Sequence, residues 1–122
     1  MPRIVHFEFL ADDPERAVKF WNDAFGWKSD TWEGATYWLV NTGEEEPGIN
    51  GGIMRRSDFP QPVNTICTVA VDDVDDAVAK VEKAGGQVVR PKFEVGDIGL
   101  SAYCTDTEGN VFGVWQSLQA SE

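Results

Sequence analysis

The stretch Asp12-Asp13-Pro14-Glu15-Arg16-Ala17-Val18-Lys19-Phe20-Trp21-Asn22-Asp23-Ala24-Phe25-Gly26 returns sixty residues later. There it reads Asp72-Asp73-Val74-Asp75-Asp76-Ala77-Val78-Ala79-Lys80-Val81-Glu82-Lys83-Ala84-Gly85-Gly86. Asp12, Asp13, Ala17, Val18, Ala24 and Gly26 each meet an identical residue at that one offset, and self-similarity at a fixed period marks a repeated structural unit. Each copy opens on an Asp pair suited to capping a helix and complementing its dipole. Pro14 stands where a first helical turn tolerates proline. Ala17, Phe20, Trp21, Ala24 and Phe25 then follow helical spacing, as do Val74, Ala77, Val78 and Val81. Gly26 and the pair Gly85-Gly86 end the helices.

Working outward, an alternating apolar run precedes each helix: Ile4-Val5-His6-Phe7-Glu8-Phe9 and Ile66-Cys67-Thr68-Val69-Ala70-Val71. Period two reads as a strand. Three further strands follow each helix, at about 27–32, 36–41 and 49–55 and at about 87–94, 99–105 and 110–116. The turn Thr107-Glu108-Gly109-Asn110 and the loop 43–48 separate strands, and residues 119–122 read as a frayed end. The pattern is βαβββ twice, unit 1 about 3–56 and unit 2 about 64–117. The linker 57–63 carries two prolines that break helix there. The expected class is α+β, one domain over 1–122.

Ten basic and 21 acidic residues leave a net charge of −11. Residues 1–60 hold 11 acids and 6 bases, and residues 61–122 hold 10 and 4, so the excess is spread along the chain. Such a field repels phosphate backbones and anionic lipid, which argues against nucleic acid and membrane surfaces and favours a cationic ligand. No apolar run approaches the roughly 20 residues of a membrane span, and the first residues lack a signal-peptide core, so a cytoplasmic location is expected. Cys67 and Cys104 lie in apolar strand-like stretches, as reduced packing residues.

The doubled pattern resembles the vicinal oxygen chelate superfamily, which holds glyoxalase I, bleomycin-resistance proteins, fosfomycin-resistance enzymes and extradiol dioxygenases. The resemblance rests on Val5-His6-Phe7-Glu8, on Asp12-Asp13-Pro14-Glu15-Arg16-Ala17 running to Phe25-Gly26-Trp27, on Asp72-Asp73-Val74-Asp75-Asp76-Ala77, and on Asp106-Thr107-Glu108-Gly109-Asn110. It covers about residues 3–117. It implies two mixed sheets forming a cup around a small-molecule site, helices outside, and a homodimer that in some members exchanges a unit between chains. It also implies four metal-ligand positions for metal-dependent members. Here they fall on His6, near Gly51-Gly52, on Ile66 and on Gly113. Only His6 offers a donor side chain to a divalent ion. No cofactor is expected, with room for a weakly bound divalent metal at most.

On the first strand Val5, Phe7 and Phe9 share one face, expected to pack under Phe20, Trp21 and Ala24. His6, Glu8 and Leu10 share the other, expected to face the cavity. His6 is the only histidine. With Glu8 two residues on, at a Cβ separation of ~6.5–7 Å, it is the candidate acid/base pair, the carboxylate raising the imidazole pKa. The alternative is a half-buried histidine hydrogen-bonded to a neighbour, with Glu8 partly solvated. Thr68, Tyr103 and Trp115 complete the candidate ligand-binding set with His6 and Glu8. The glycines at 51, 52 and 113 are expected to open room for a planar ligand against Trp115. Arg55 and Arg56 are read as surface pairing, with contact to a ligand carboxylate the alternative. The leading functional reading is a metal-free binder of a small organic molecule, with bleomycin-resistance proteins as precedent. The alternatives are a lyase or isomerase using His6 and Glu8, and a catalytically silent dimerising module.

Overall fold

A computed structural model describes residues 1–32 and 36–119 of the 122. The frayed end read at 119–122 therefore lies, for 120–122, outside the described residues. The architecture is α+β. Its elements run β1 (Arg3–Ala11), α1 (Pro14–Phe25), β2 (Lys28–Trp32), β3 (Tyr37–Asn41), β4 (Asn50–Arg55), β5 (Thr65–Ala70), α2 (Val74–Lys83), β6 (Gln87–Val95), β7 (Gly99–Thr105) and β8 (Val111–Ser117). All eight strands and both helices read from the sequence are present. Contacts cluster the chain into two compact units, residues 6–66 and residues 1–5 with 67–122.

In the unit of residues 6–66 the strand order is β2-β3-β4-β1. β4 runs parallel to β1 and antiparallel to β3, and β3 is antiparallel to β2. The core joins Phe7, Trp38, Val40 and Ile53, with Phe9, Ala17, Val18, Trp21 and Trp27 packed against it. The α1 stripe that packs is therefore Ala17, Val18 and Trp21. Phe20 is 58% exposed and Ala24 lies outward too, which corrects the expected packing. α1 carries apolar residues on more than one phase of the helical period, and periodicity alone does not choose among them. Phe20 and Phe25 instead lean on Trp21, at ring separations of 5.0 and 5.8 Å. Val5 is exposed rather than packed, and Leu10, expected toward a cavity, is buried. Arg56 bonds the Asp12 carboxylate at 2.7 Å and the Leu10 carbonyl at 3.1 Å, so it clips the end of β1 rather than facing a ligand. Arg55 lies 5.7 Å from the centre of the Trp38 ring.

The other unit repeats the plan in the order β5-β8-β7-β6, with β8 parallel to β5. Val74, Ala102 and Val114 form its core, joined by Val71, Ala77, Val78, Leu100 and Phe112. Cys104 is wholly buried, but Cys67 is exposed on β5 and is not the packing residue expected; both thiols are free. Asp106 organises the β7–β8 turn by accepting from the backbone N–H groups of Glu108 and Asn110. Hydrogen bonds, first from the Asn110 side chain, hold its carboxyl below the usual range.

The second member of each Asp pair is the cap. Asp13 accepts from the Arg16 N–H at 3.1 Å and Asp73 from the Asp76 N–H at 2.9 Å. Gly26, at φ 76°, closes α1 in the left-handed conformation that favours glycine. Replacing Asp13 or Asp73 with alanine should each cost about 1 kcal/mol, read as a lower urea midpoint at unchanged slope. Asp72→Ala, outside the cap, should leave the unfolding free energy within ~0.5 kcal/mol of the parent.

Candidate functional site

β1 presents His6 and Glu8 on the face opposite Phe7 and Phe9, as strand alternation requires. Glu8 stands level with Gly52 on β4, and β3 lies beyond β4. Tyr37 at the start of β3 points to the same face, because its neighbour Trp38 takes the core side. Gly52 has no side chain, so the Tyr37 phenol lies directly over it. A Cβ added there would run into Tyr37 Oη, Cζ and Cε1. The ring thereby crosses β4 and reaches β1. Its hydroxyl donates to Glu8 Oε2 at 2.7 Å and meets His6 Nε2 at 2.8 Å.

Proton counting orients this chain. A carboxylate only accepts, and the phenol has one proton. With that proton on Glu8, Tyr37 Oη must accept from His6, which makes Nε2–H the donor and leaves Nδ1 as the lone pair of the neutral ring. Burial pushes the His6 pKa below the ordinary imidazole value, and the opposing charge of Glu8 is the smaller effect. This reverses the expected rise: desolvation of imidazolium outweighs a carboxylate that reaches it through a phenol. Glu8 is also not partly solvated, being only 6% exposed.

Tyr37 is the residue that sequence reasoning missed. The available signal was the Tyr37-Trp38 pair, which must split between faces, beside a strand whose central glycines let a long side chain cross. The expectation that Gly51 and Gly52 open room for a ligand is corrected by the same facts. Tyr37 fills the space over Gly52, and the Phe7 ring and carbonyl fill that over Gly51.

The other unit has a parallel arrangement. Thr68 stands level with Gly113, and Tyr103 pairs with Gly113 from β7. A Cβ on Gly113 would lie 3.0 Å from Thr68 Oγ1 and 3.5 Å from Tyr103 Cε1. Glu8 and Gly52 thus have counterparts in Thr68 and Gly113, whereas Tyr103 holds the register place of Leu39, which pairs with Gly52, and the Tyr37 ring reaches over Gly52 from two residues away on β3. Thr68 and Tyr103 are buried, and Trp115 is half-buried with its six-membered ring against Gly99. The structure therefore joins His6 to Glu8 through Tyr37, and Thr68 to Tyr103 around Gly113, while Trp115 packs two residues away on Gly99. A cleft of about 350 Å³ on the α2 side of this unit, lined by Val71, Asp72, Asp76, Ala77 and Phe112 among others, includes none of these residues.

Residue by residue, the four positions that the resemblance implies for metal ligands offer little. His6 Nε2 is engaged by Tyr37, the place at Gly52 is occupied by the Tyr37 ring, Ile66 is wholly buried and Gly113 has no side chain. Among the described residues no three His, Cys, Asp or Glu side chains group to hold a metal ion. No helix among them is long and apolar enough to cross a membrane.

Comparison with known proteins places the chain in a family. A family model described as a glyoxalase-like domain matches residues 5–115. A protein named "Putative glyoxylase CFP32", from Mycobacterium bovis and Mycobacterium tuberculosis, is 35% identical over 117 residues, covering 86% of this chain and 42% of that protein. The chain thus spans less than half the length of these curated relatives. Among solved structures, a glyoxalase/bleomycin resistance protein/dioxygenase superfamily member from Vibrio splendidus 12B01 superposes with a TM-score of 0.67 at 14% identity, over 97% of this chain and 100% of that one. A methylmalonyl-CoA epimerase in complex with methylmalonyl-CoA and ammonium superposes at 0.70 and 13% identity, over 100% of this chain and 99% of that one. At such identities these structures speak for the fold alone.

Proposed function

The chain belongs to the glyoxalase-like domain family, and on that premise we propose that it binds a small organic molecule through His6, at a family metal site that has lost its ligands. The observation that carries this reading is the His6–Tyr37–Glu8 hydrogen-bond chain. The imidazole Nε2 is committed to a phenol that is itself bonded to the Glu8 carboxylate, and the neighbouring glycine position is filled by that phenol. The donor set does not suit a divalent cation, which asks for several N or O side chains converging at ~2.0–2.2 Å. What remains is a neutral imidazole with Nδ1 as an acceptor, suited to a ligand O–H or N–H.

A second reading has its own support. A neutral histidine whose other nitrogen is oriented by a Tyr–carboxylate pair is the arrangement of a general base. In a lyase or isomerase of this family type, Nδ1 would take a proton from substrate, and Nε2–H would remain on Tyr37 with Glu8 behind it. The named relative and the epimerase neighbour are compatible with such chemistry.

A thermal-shift screen of cationic and anionic metabolites, run with chelator and with added divalent metals, tests both readings. A ligand at 100 times its Kd adds about 2.7 kcal/mol. The binding reading expects a hit in chelator, a shift of the His6 ring resonances on adding it, and loss of the thermal shift in His6→Ala. If the hit is instead consumed, or exchanges a carbon-bound proton with deuterated solvent, and His6→Ala stops this, the second reading holds. Hits that need metal and ignore His6 would overturn both. The proposal includes a homodimer in the cytoplasm, to be checked by light scattering for twice the 13.5 kDa chain mass.

A further inference from the structure

β6 is irregular where a regular strand would have served the ladder. Val88 pairs with Cys104, Arg90 with Tyr103 and Phe93 with Ser101, so β6 carries an extra residue at each of two steps. Such bulges re-aim side chains. Arg90 and Phe93 are three apart and would point to opposite faces of a regular strand. Here both lie on the Tyr103 face. The Arg90 guanidinium sits 3.7 Å over the Phe93 ring, and that ring stacks on Tyr103 at 5.9 Å with 24° between planes. Lys92, between them, turns the other way and bonds Asp75 of α2 at 2.8 Å. Pro91 lacks the N–H that an uninterrupted ladder would need, and a bulge accommodates it.

The bulges therefore separate two cations. Lys92 is consumed in an ion pair, whereas Arg90 is exposed and makes no ion pair among the described residues. Stacking occupies one face of a guanidinium and leaves its in-plane N–H edge free, pre-organised for a two-point acceptor. We infer that Arg90, on the platform of Phe93 and Tyr103, is a binding site for the carboxylate of a small organic molecule. This site lies wholly within the unit of β5–β8 and stands or falls separately from the reading of His6.

The test is an amide-resolved NMR titration of the full chain with benzoate, benzamide and inorganic phosphate at constant ionic strength. Benzoate should saturate, with shifts at the amides of Arg90, Lys92 and Phe93 and of Ser101, Ala102 and Tyr103. Benzamide, the same shape without the charge, should bind about tenfold more weakly or less. Arg90→Gln should weaken benzoate about tenfold or more. Arg90→Lys, which keeps the charge and loses the fork, should weaken it several-fold, and Phe93→Leu should do likewise by releasing the guanidinium. Arg90 is exposed, so its variants should keep the native spectrum and leave the comparison readable. Benzoate that fails to saturate, or that binds Arg90→Gln as it binds the parent, overturns the site. Phosphate binding as tightly as benzoate overturns the carboxylate assignment.

Discussion

Gly52→Ala should lower the thermal midpoint by roughly 5–10 °C, while Gly113→Ala should move it by no more than a few degrees. These glycines hold matching places in the two units, so a generic strand effect predicts equal outcomes. The surroundings differ. A methyl at Gly52 meets the Tyr37 hydroxyl and ring, which are themselves tied to His6 and Glu8. Overpacking of this kind costs about 1–3 kcal/mol, and a domain of this size shifts by several degrees per kcal/mol. At Gly113 the nearest atom is Thr68 Oγ1 at 3.0 Å, and a few tenths of an ångström of relief suffices. The entropy that alanine removes from the unfolded chain offsets part of that cost, by about 0.4–1 kcal/mol. Gly52→Ala should also perturb the ring resonances of the sole histidine, because the phenol must leave Nε2. Equal midpoints for the two variants would show that Tyr37 does not depend on the missing side chain.

The second large effect concerns pH. Burial holds the folded His6 pKa below its unfolded value, so the unfolded chain binds a proton more readily than the folded one. The contribution is fully present above about pH 6.5, the unfolded value. It is lost as pH falls from there toward the depressed folded pKa. Stability should therefore decline as pH falls below about 6.5 toward the depressed folded pKa, and His6→Gln should flatten that slope, as measured by urea unfolding. Glu8→Gln removes the charge that raises the His6 pKa. It should push the imidazole titration to still lower pH, observable directly because His6 is the only histidine. Tyr37→Phe deletes the hydroxyl shared by both partners and should cost about 1–3 kcal/mol. A His6 pKa that rises in Glu8→Gln would contradict the balance of burial and charge described for this site.

How much of this was legible beforehand depended on how far apart the interacting residues stand. The first strand, the Asp13 and Asp73 caps, the Gly26 stop and the Asp106 turn involve neighbours within five residues, so spacing along the chain displays them. The candidate pair His6 and Glu8 was visible for the same reason. Its connection was not, since Tyr37 lies 29 residues from Glu8 and reaches it only because β4 passes between them with glycine at 52. The bulges of β6 were hidden in a run that reads as a plain strand. Their effect, bringing Arg90 onto Phe93, depends on pairing with β7.

The chain's own order of residues determined the doubled βαβββ plan and the helix limits, because these follow from periodicity and capping, and side-chain identity leaves His6 as the one donor among the four positions that the resemblance implies for metal ligands. Only the folded packing decided which phase of α1 is buried, that His6 is pressed toward its neutral form, and that a phenol joins it to Glu8. Those outcomes rest on desolvation and on side chains filling space left by residues distant in sequence, and neither quantity exists until the strands have paired.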